Sequence, residues 1–290
     1  MIRFGNRFLM YYTLPSNKMS SLGDGKAHKG LAIGIAESRD IKNWHKIGEI
    51  LPDNQVENNG IAAPSAIVIN GKIHLFYQSY GNGASDAINH ASSSDGVHFE
   101  RDPGNPVFAP DPKKVKWSIG RAIDAEAFVV GDRLMLYYAT RDPTYKVQKI
   151  GVASASINSN FSKGDFKNIN DEKSILEPEL SWERSCIEAP SIISRNGKLY
   201  MFYAGGYNND PQQIGVAVSD DGIKWKRTST KPFLANGSKG SWNYSESGHP
   251  DIFQYGDRTF LFFQGNADHG KTWTVAATEI GWNKNGPYLK

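Results

Sequence analysis

The chain has 290 residues, 39% apolar and 12% aromatic, enough for a packed core and well away from a disordered composition. Its 33 basic and 30 acidic residues leave a formal charge of +3 with no Lys/Arg cluster, which argues against a nucleic-acid partner. The one cysteine, Cys186, excludes an intrachain disulfide, and no apolar run approaches the roughly 18 residues that cross a bilayer, so no membrane partner is expected.

The first residues, Met1-Ile2-Arg3-Phe4-Gly5, lack the apolar run and small-residue cleavage site of a signal peptide and read as the middle of a β-hairpin. From there a short strand ending in paired aromatics recurs five times: Phe8–Tyr12, His74–Tyr77, Leu134–Tyr138, Leu199–Tyr203 and Phe260–Phe263. Its last aromatics stand at 12, 77, 138, 203 and 263, a repeat of 60 to 65 residues. A tight turn precedes each, as in Asn70-Gly71 and Asn196-Gly197, residue types that tolerate the positive φ of two-residue hairpins. Before four of the turns lies another strand: Ala63–Ile69, Ala125–Val130, Ala189–Ser194 and Pro250–Tyr255. After the aromatic strands come Leu31–Ala36, Ala87–Ser92, Ile150–Ala153, Ile214–Ala217 and Thr274–Ala277. A polar turn and a fourth strand close most units, as in Ser219–Trp225.

Four short antiparallel strands repeated radially predict an all-β, five-bladed β-propeller of four-stranded antiparallel blades, with very little helix. It is expected to be one domain over residues 1–290, acting as a monomer, with Leu14–Lys29 as a loop over one face.

In a propeller the first strand of each blade lines the central channel, so equivalent strand starts converge. Aligned on the aromatic strands, that position is Ala62, Asp124, Glu188 and His249 in blades 2 to 5, and Trp117, Trp182 and Trp242 precede three of them. Two carboxylates and an imidazole at one repeated position suit glycoside hydrolysis, in which one carboxylic acid protonates the leaving oxygen and a carboxylate activates water or attacks. Burial and the neighbouring charge of Asp124 predict a raised pKa for Glu188. Arg121, three residues before Asp124, is the alternative: a simple ion-pair partner. Trp225 reads as packing. The other histidines, scattered without ligand spacing, read as structural or surface.

The segments Arg121-Ala122-Ile123-Asp124-Ala125-Glu126-Ala127-Phe128 and Glu188–Tyr203 resemble the glycoside hydrolase family 43 superfamily of arabinanase-, xylosidase- and fructosidase-type propellers, over essentially the whole chain. The resemblance implies that Glu188 is the general acid and that Asp124 adjusts and orients it. Arg121, His249, Trp117, Trp182 and Glu126 are then candidates for substrate binding. It also implies that His249 sits near a central metal or water cluster, with Ca2+ or another ion as the candidate and no cofactor required. The substrate class is an oligosaccharide or polysaccharide, of plant type or other, and the mechanism inverting.

Three departures stand out. Ala62-Ala63-Pro64 replaces an aromatic–Ala–Pro triplet, which removes a stacking wall. Glu126 stands where a serine is usual, on the same strand face as Asp124, as an ion-pair partner or as part of a metal or sugar site. In register with Asp124, the blade-1 position falls three residues upstream of Met1, so the first blade is expected to be N-terminally incomplete and to lack its catalytic base Asp. A native upstream segment, with an export signal and hence a secreted or periplasmic location, and a weakly active chain follow as expectations. A catalytically inactive carbohydrate-binding propeller is the alternative.

Overall fold

The structure, a computed structural model, describes residues 1–15 and 30–290; most of the loop expected over Leu14–Lys29, and His28 with it, lies outside the described residues. Among the described residues twenty strands form five four-stranded sheets, each in sequential order, and the only helical element is the single 3-10 turn Gly83–Ser85. The strands fall where the repeat places them. Blade 2, for example, is Ile61–Ile69, Lys72–Ser79, Ile88–Ser93 and Glu100–Arg101. At its first hairpin Asn70 and Gly71 take φ of 51° and 76°, as the same pair, Asn196-Gly197, does in blade 4. Blade 5 begins earlier than the sequence suggests, at Glu246 rather than Pro250.

The chain comprises two compact units, described in turn: Met1–Thr140 with Val152–Glu172, and Arg141–Gly151 with Lys173–Lys290. In the first, successive blades pack face to face. Leu75, Phe76 and Tyr77 are consecutive and all fully buried, because apolar layers cover both faces of their sheet. One layer joins Leu9, Ile33 and Ile35 to Ile73, Leu75 and Tyr77; the next joins Phe76 and Ile88 to Ala125, Leu134 and Tyr138. In the second unit the equivalent layer joins Ile193, Phe202 and Val216 to Ile252, Leu261 and Phe263.

A serine bridges adjacent blades at one repeated position. Ser65 Oγ accepts from the Ala127 amide at 3.1 Å, and Ser191 Oγ accepts from the Ile252 amide at 3.0 Å. These bonds satisfy strand amides that burial would otherwise leave unpaired. The polar turns before the fourth strands are built alike: Asp95 Oδ1 accepts the amides of Val97 and His98, Asp221 Oδ1 those of Ile223 and Lys224. The Trp225 indole N–H donates to Gly222 O at 3.1 Å, within its own turn.

The first unit also buries a histidine pair. His74 and His90 stack at 5.2 Å, with His74 Nδ1 3.0 Å from His90 Nε2 and Phe161 edge-on to both. Burial, helped by the charges of His90 and Lys72, pushes His74 down to about 4; burial outweighs the opposing pull of Asp102 and pushes His90 to about 4 as well. Both lie below the ordinary value, so the neutral pair stabilises the fold above pH 6.5, and that contribution is lost as pH falls from there through about 4. The melting temperature is expected to drop across this window and the drop to flatten in His90→Phe; calorimetry at stepped pH would show an unchanged slope if the pair were not the acid-sensitive element.

Candidate active site

The starts of the four long channel strands share a β-bulge, and the bulge sets which side chain goes where. Pairing skips between Ala62 and Ser65, Ile123 and Glu126, Glu188 and Ser191, and Gly248 and Asp251. In each bulge one residue takes a left-handed conformation: Ala63 at φ 47°, Asp124 at 50°, Ala189 at 49° and His249 at 46°. Bulges re-aim side chains and are common beside active sites. They also correct the alignment drawn from the sequence. Asp124 is in register with Ala63, Ala189 and His249, whereas Glu188 is in register with Ala62, Ile123 and Gly248. Ile123 holds in blade 3 the place that Glu188 holds in blade 4, and Asp124 falls one residue later, on the left-handed residue of the bulge.

Glu188, 6% exposed, sits in a cage of donors. Gln212 Nε2 donates to its Oε1 at 2.7 Å and Gln148 Nε2 donates to its Oε2. His249 Nε2 lies 3.4 Å from Oε1, and the Cys186 side chain adds a further hydrogen bond. The two glutamines occupy matched places at the entries to the third strands of blades 3 and 4, each bridged to the start of the next blade. Burial on its own would raise the Glu188 pKa, but His249, Gln212 and Cys186 together outweigh it and hold the carboxyl below its ordinary range. This reverses the expectation of a raised value: the sequence reading counted burial and a neighbouring carboxylate, not the donors.

The cage leaves no room at Gly248. A Cβ there would lie 1.7 Å from Gln212 Oε1, and Gln212 is pinned by its bonds to Glu188 and to Gly206 O at 2.9 Å. Gly248→Ala is therefore expected to cost about 1–3 kcal/mol of stability, the usual range for overpacking. Denaturant unfolding measures it; a neutral result would mean that Gln212 moves aside freely.

Glu246, fully buried, went unnoticed in the sequence because it precedes the strand as predicted. It accepts from Gln264 Nε2 at 2.7 Å and from the Asn209 amide at 2.6 Å. Burial, with the charge of Glu188 adding to it, raises its pKa against the pull of His249. Its opposite shift from Glu188 places the more readily ionised carboxyl next to the imidazole. Among the described residues no three His, Cys, Asp or Glu side chains converge in metal-ligating geometry. The donors around His249 thus do not form an all-protein metal cage.

In the first unit Asp124 is 6% exposed, and its amide donates to Gln78 Oε1 at 2.7 Å. Arg121, also buried, pairs with Asp86, Nη2 to Oδ2 at 3.2 Å. Glu126 Oε2 accepts from Ser65 Oγ at 2.9 Å, which ties it to the blade-bridging serine. The tryptophans lie within the packing. The Trp117 N–H goes to Asn170 O at 3.2 Å, and Trp182 stacks on Tyr203 at 6.0 Å with its N–H on Thr230 O. A Cβ at Gly205 or Gly215 would strike the Trp182 ring, so these glycines are the floor it rests on. Trp242, at 46% exposure, is the most open of the three tryptophans that precede channel strands.

A second device missed in the sequence is a buried Tyr–Glu–Arg cluster that occurs twice with the same spacing. Tyr203 OH donates to Glu183 Oε1 at 2.6 Å and Arg227 Nε donates to the same oxygen at 2.7 Å, from 20 and 44 residues away. In blade 2, Tyr77 and Arg101 hold Glu57 at the same separations. Each glutamate lies five residues before Glu188 or Ala62, so the cluster anchors the approach to a channel strand. The matched spacing of Glu, Tyr and Arg was a signal available in the sequence.

Residues 1–288 match the profile of Glycosyl hydrolases family 43. A solved thermostable family-43 glycoside hydrolase superposes with a TM-score of 0.75 at 21% identity, covering 100% of this chain and 90% of that one. The α-L-arabinanase of Cellvibrio cellulosa, solved with arabinohexaose, gives 0.73 at 16% identity, covering 100% and 93%. These likenesses show the fold, a five-bladed β-propeller. An extracellular exo-α-(1→5)-L-arabinofuranosidase of Streptomyces avermitilis is 24% identical over 57% of this chain, which spans only 36% of that protein's length. From the match over nearly its full length, this chain belongs to glycosyl hydrolase family 43.

Proposed function

We propose that the chain is an inverting glycosidase acting on arabinose-containing glycans, with Glu188 as the general acid. The observation that carries this reading is the Glu188 cage: a nearly buried carboxyl held in one orientation by Gln148, Gln212 and His249. Catalysis of this kind requires a proton donor fixed toward the leaving oxygen. In the free protein the donors favour the ionised form. A sugar ring laid over the site removes water and, through its glycosidic oxygen, selects the protonated form. The general base is assigned to no residue of this sequence. Arabinan is the first substrate to test because two of the similar proteins are named for acting on arabinose linkages.

The ionised state of Glu188 favours one other reading, a propeller that binds glycan without cleaving it. Incubation with α-1,5-arabino-oligosaccharides, followed by NMR of the first-formed anomer, separates the two. Cleavage with inversion supports the glycosidase; binding without new reducing ends supports the binding protein.

A further inference from the structure

In the second unit a positively charged patch adjoins the Glu188 cage, and the proposed reaction gives it no part. Arg141 ends the second strand of blade 3 and is half-buried. The Tyr145 ring lies 4.3 Å from the centre of its guanidinium, and the Tyr207 ring 5.0 Å from it. Its Nε donates to Gln148 Oε1 at 3.3 Å and one terminal nitrogen to Tyr145 O at 3.4 Å. Gln148 is the same side chain whose amide donates to Glu188, so Arg141 stands one side chain away from the carboxylate.

The loop that carries Tyr145 is pre-formed. Asp142 Oδ1 accepts the amides of Lys146 and Val147 at 2.8 and 2.7 Å, and Tyr207 OH donates to Lys146 O at 3.3 Å across to the next blade. Against burial, the Thr144 hydroxyl and the amides of Val147, Lys146 and Thr144 occupy the carboxylate beside Arg141 in sequence and hold its pKa down to about 2. The neighbouring acid Asp210 is paired with Arg184. Among the described residues no carboxylate lies within ion-pair distance of Arg141 or of the exposed Lys146 on the same loop. The patch therefore holds a guanidinium fixed through Nε and one terminal nitrogen, with its other terminal nitrogen outside those bonds, two aromatic rings and a second cation, and neither cation is in an ion pair.

We propose that Arg141, with Tyr145, Tyr207 and Lys146, forms a subsite for a carboxylate-bearing sugar, a hexuronate adjoining the sugar held at Glu188. A planar guanidinium edge matches a carboxylate bidentately, and tyrosine rings suit the apolar face of a pyranose. A neutral sugar would use the rings and leave both cations unanswered. The subsite rests on the glycosidase reading for its place beside the reacting sugar; its ligand chemistry stands on Arg141 itself.

The test is binding, by calorimetry on the intact chain, of tri-galacturonate and of the same trisaccharide with its carboxyl groups reduced to alcohols. The acidic form is expected to bind at least about tenfold more tightly in low salt, with the preference shrinking in 0.5 M NaCl as ~3–10 Å screening sets in. In Arg141→Gln the ratio should fall to near one, and in Arg141→Lys, which keeps the charge but not the fork, to an intermediate value. Equal affinities, no detectable binding, or a preference that survives Arg141→Gln in a variant that melts like the parent would overturn it. Hydrolysis of arabino-oligosaccharides is followed in parallel. Cleavage without acidic preference sinks the subsite and keeps the glycosidase; preference without cleavage of any glycan does the reverse.

Discussion

Replacing Glu188 by glutamine is expected to lower turnover of arabino-oligosaccharides at least about a hundredfold, the lower end of a general acid's usual contribution. The substitution keeps the size of the side chain, and its one amide oxygen can still accept from Gln212 or from Gln148 though not from both, so a melting curve of the variant accompanies the kinetics. The loss should shrink for aryl glycosides whose leaving group needs little protonation. A uniform loss across leaving groups would argue that Glu188 positions the sugar and does not protonate it. The ionisation of Glu188 gives the pH dependence its sign. Because the free carboxyl is held low, the alkaline limb of kcat/KM should lie at acidic pH, while a bound sugar that favours the protonated form moves the limb of kcat upward. Coincident limbs in the two profiles would show that substrate does not alter the acid.

The second large effect lies five residues earlier. Glu183 is fully buried, Arg227 donates to both its oxygens at 2.7 and 2.8 Å, and the amides of Glu179 and Leu180 complete the shell. The hydrogen bonds overcome burial and keep the carboxyl ionised, while burial and the same charge raise the Tyr203 hydroxyl. Glu183→Ala is expected to destabilise the protein by about 3–5 kcal/mol, because it removes the buried partner of the pair and leaves Arg227 only Glu179 and the Glu177 carbonyl. Adding Arg227→Met should recover part of the loss, since removing both charges also removes the desolvation cost. Urea unfolding of the single and double variants measures this. A double variant no better than the single would place the cost in the cavity and not in the unpaired charge. The approach to Glu188 is tied down by this cluster, so the single variant should also lose turnover beyond its loss of folded protein.

The blade architecture was written plainly in the residues. Period-2 strands, Asn-Gly turns and the paired aromatics of Tyr77, Tyr138 and Tyr203 are local features that recur every 60 to 65 residues, and local features survive being read one segment at a time. The motifs around Asp124 and Glu188 were legible for the same reason. Their register was not. The left-handed position is marked by no residue type, being Ala in two blades, Asp in one and His in another, so which side of it a motif residue takes shows only in the strand pairing.

What the sequence determined by itself was the fold, the number of blades and the two carboxylate-bearing segments, because each depends on patterns within a few neighbouring residues. Only the tertiary structure decided the ionisation of Glu188. The groups that lower it include His249, 61 residues away, and Gln212, 24 residues away, brought in by two different blades. A carboxyl's charge state is a balance between lost water and gained donors. Burial can be guessed from a pattern of apolar neighbours, but the donors that oppose it are known only once the blades have packed.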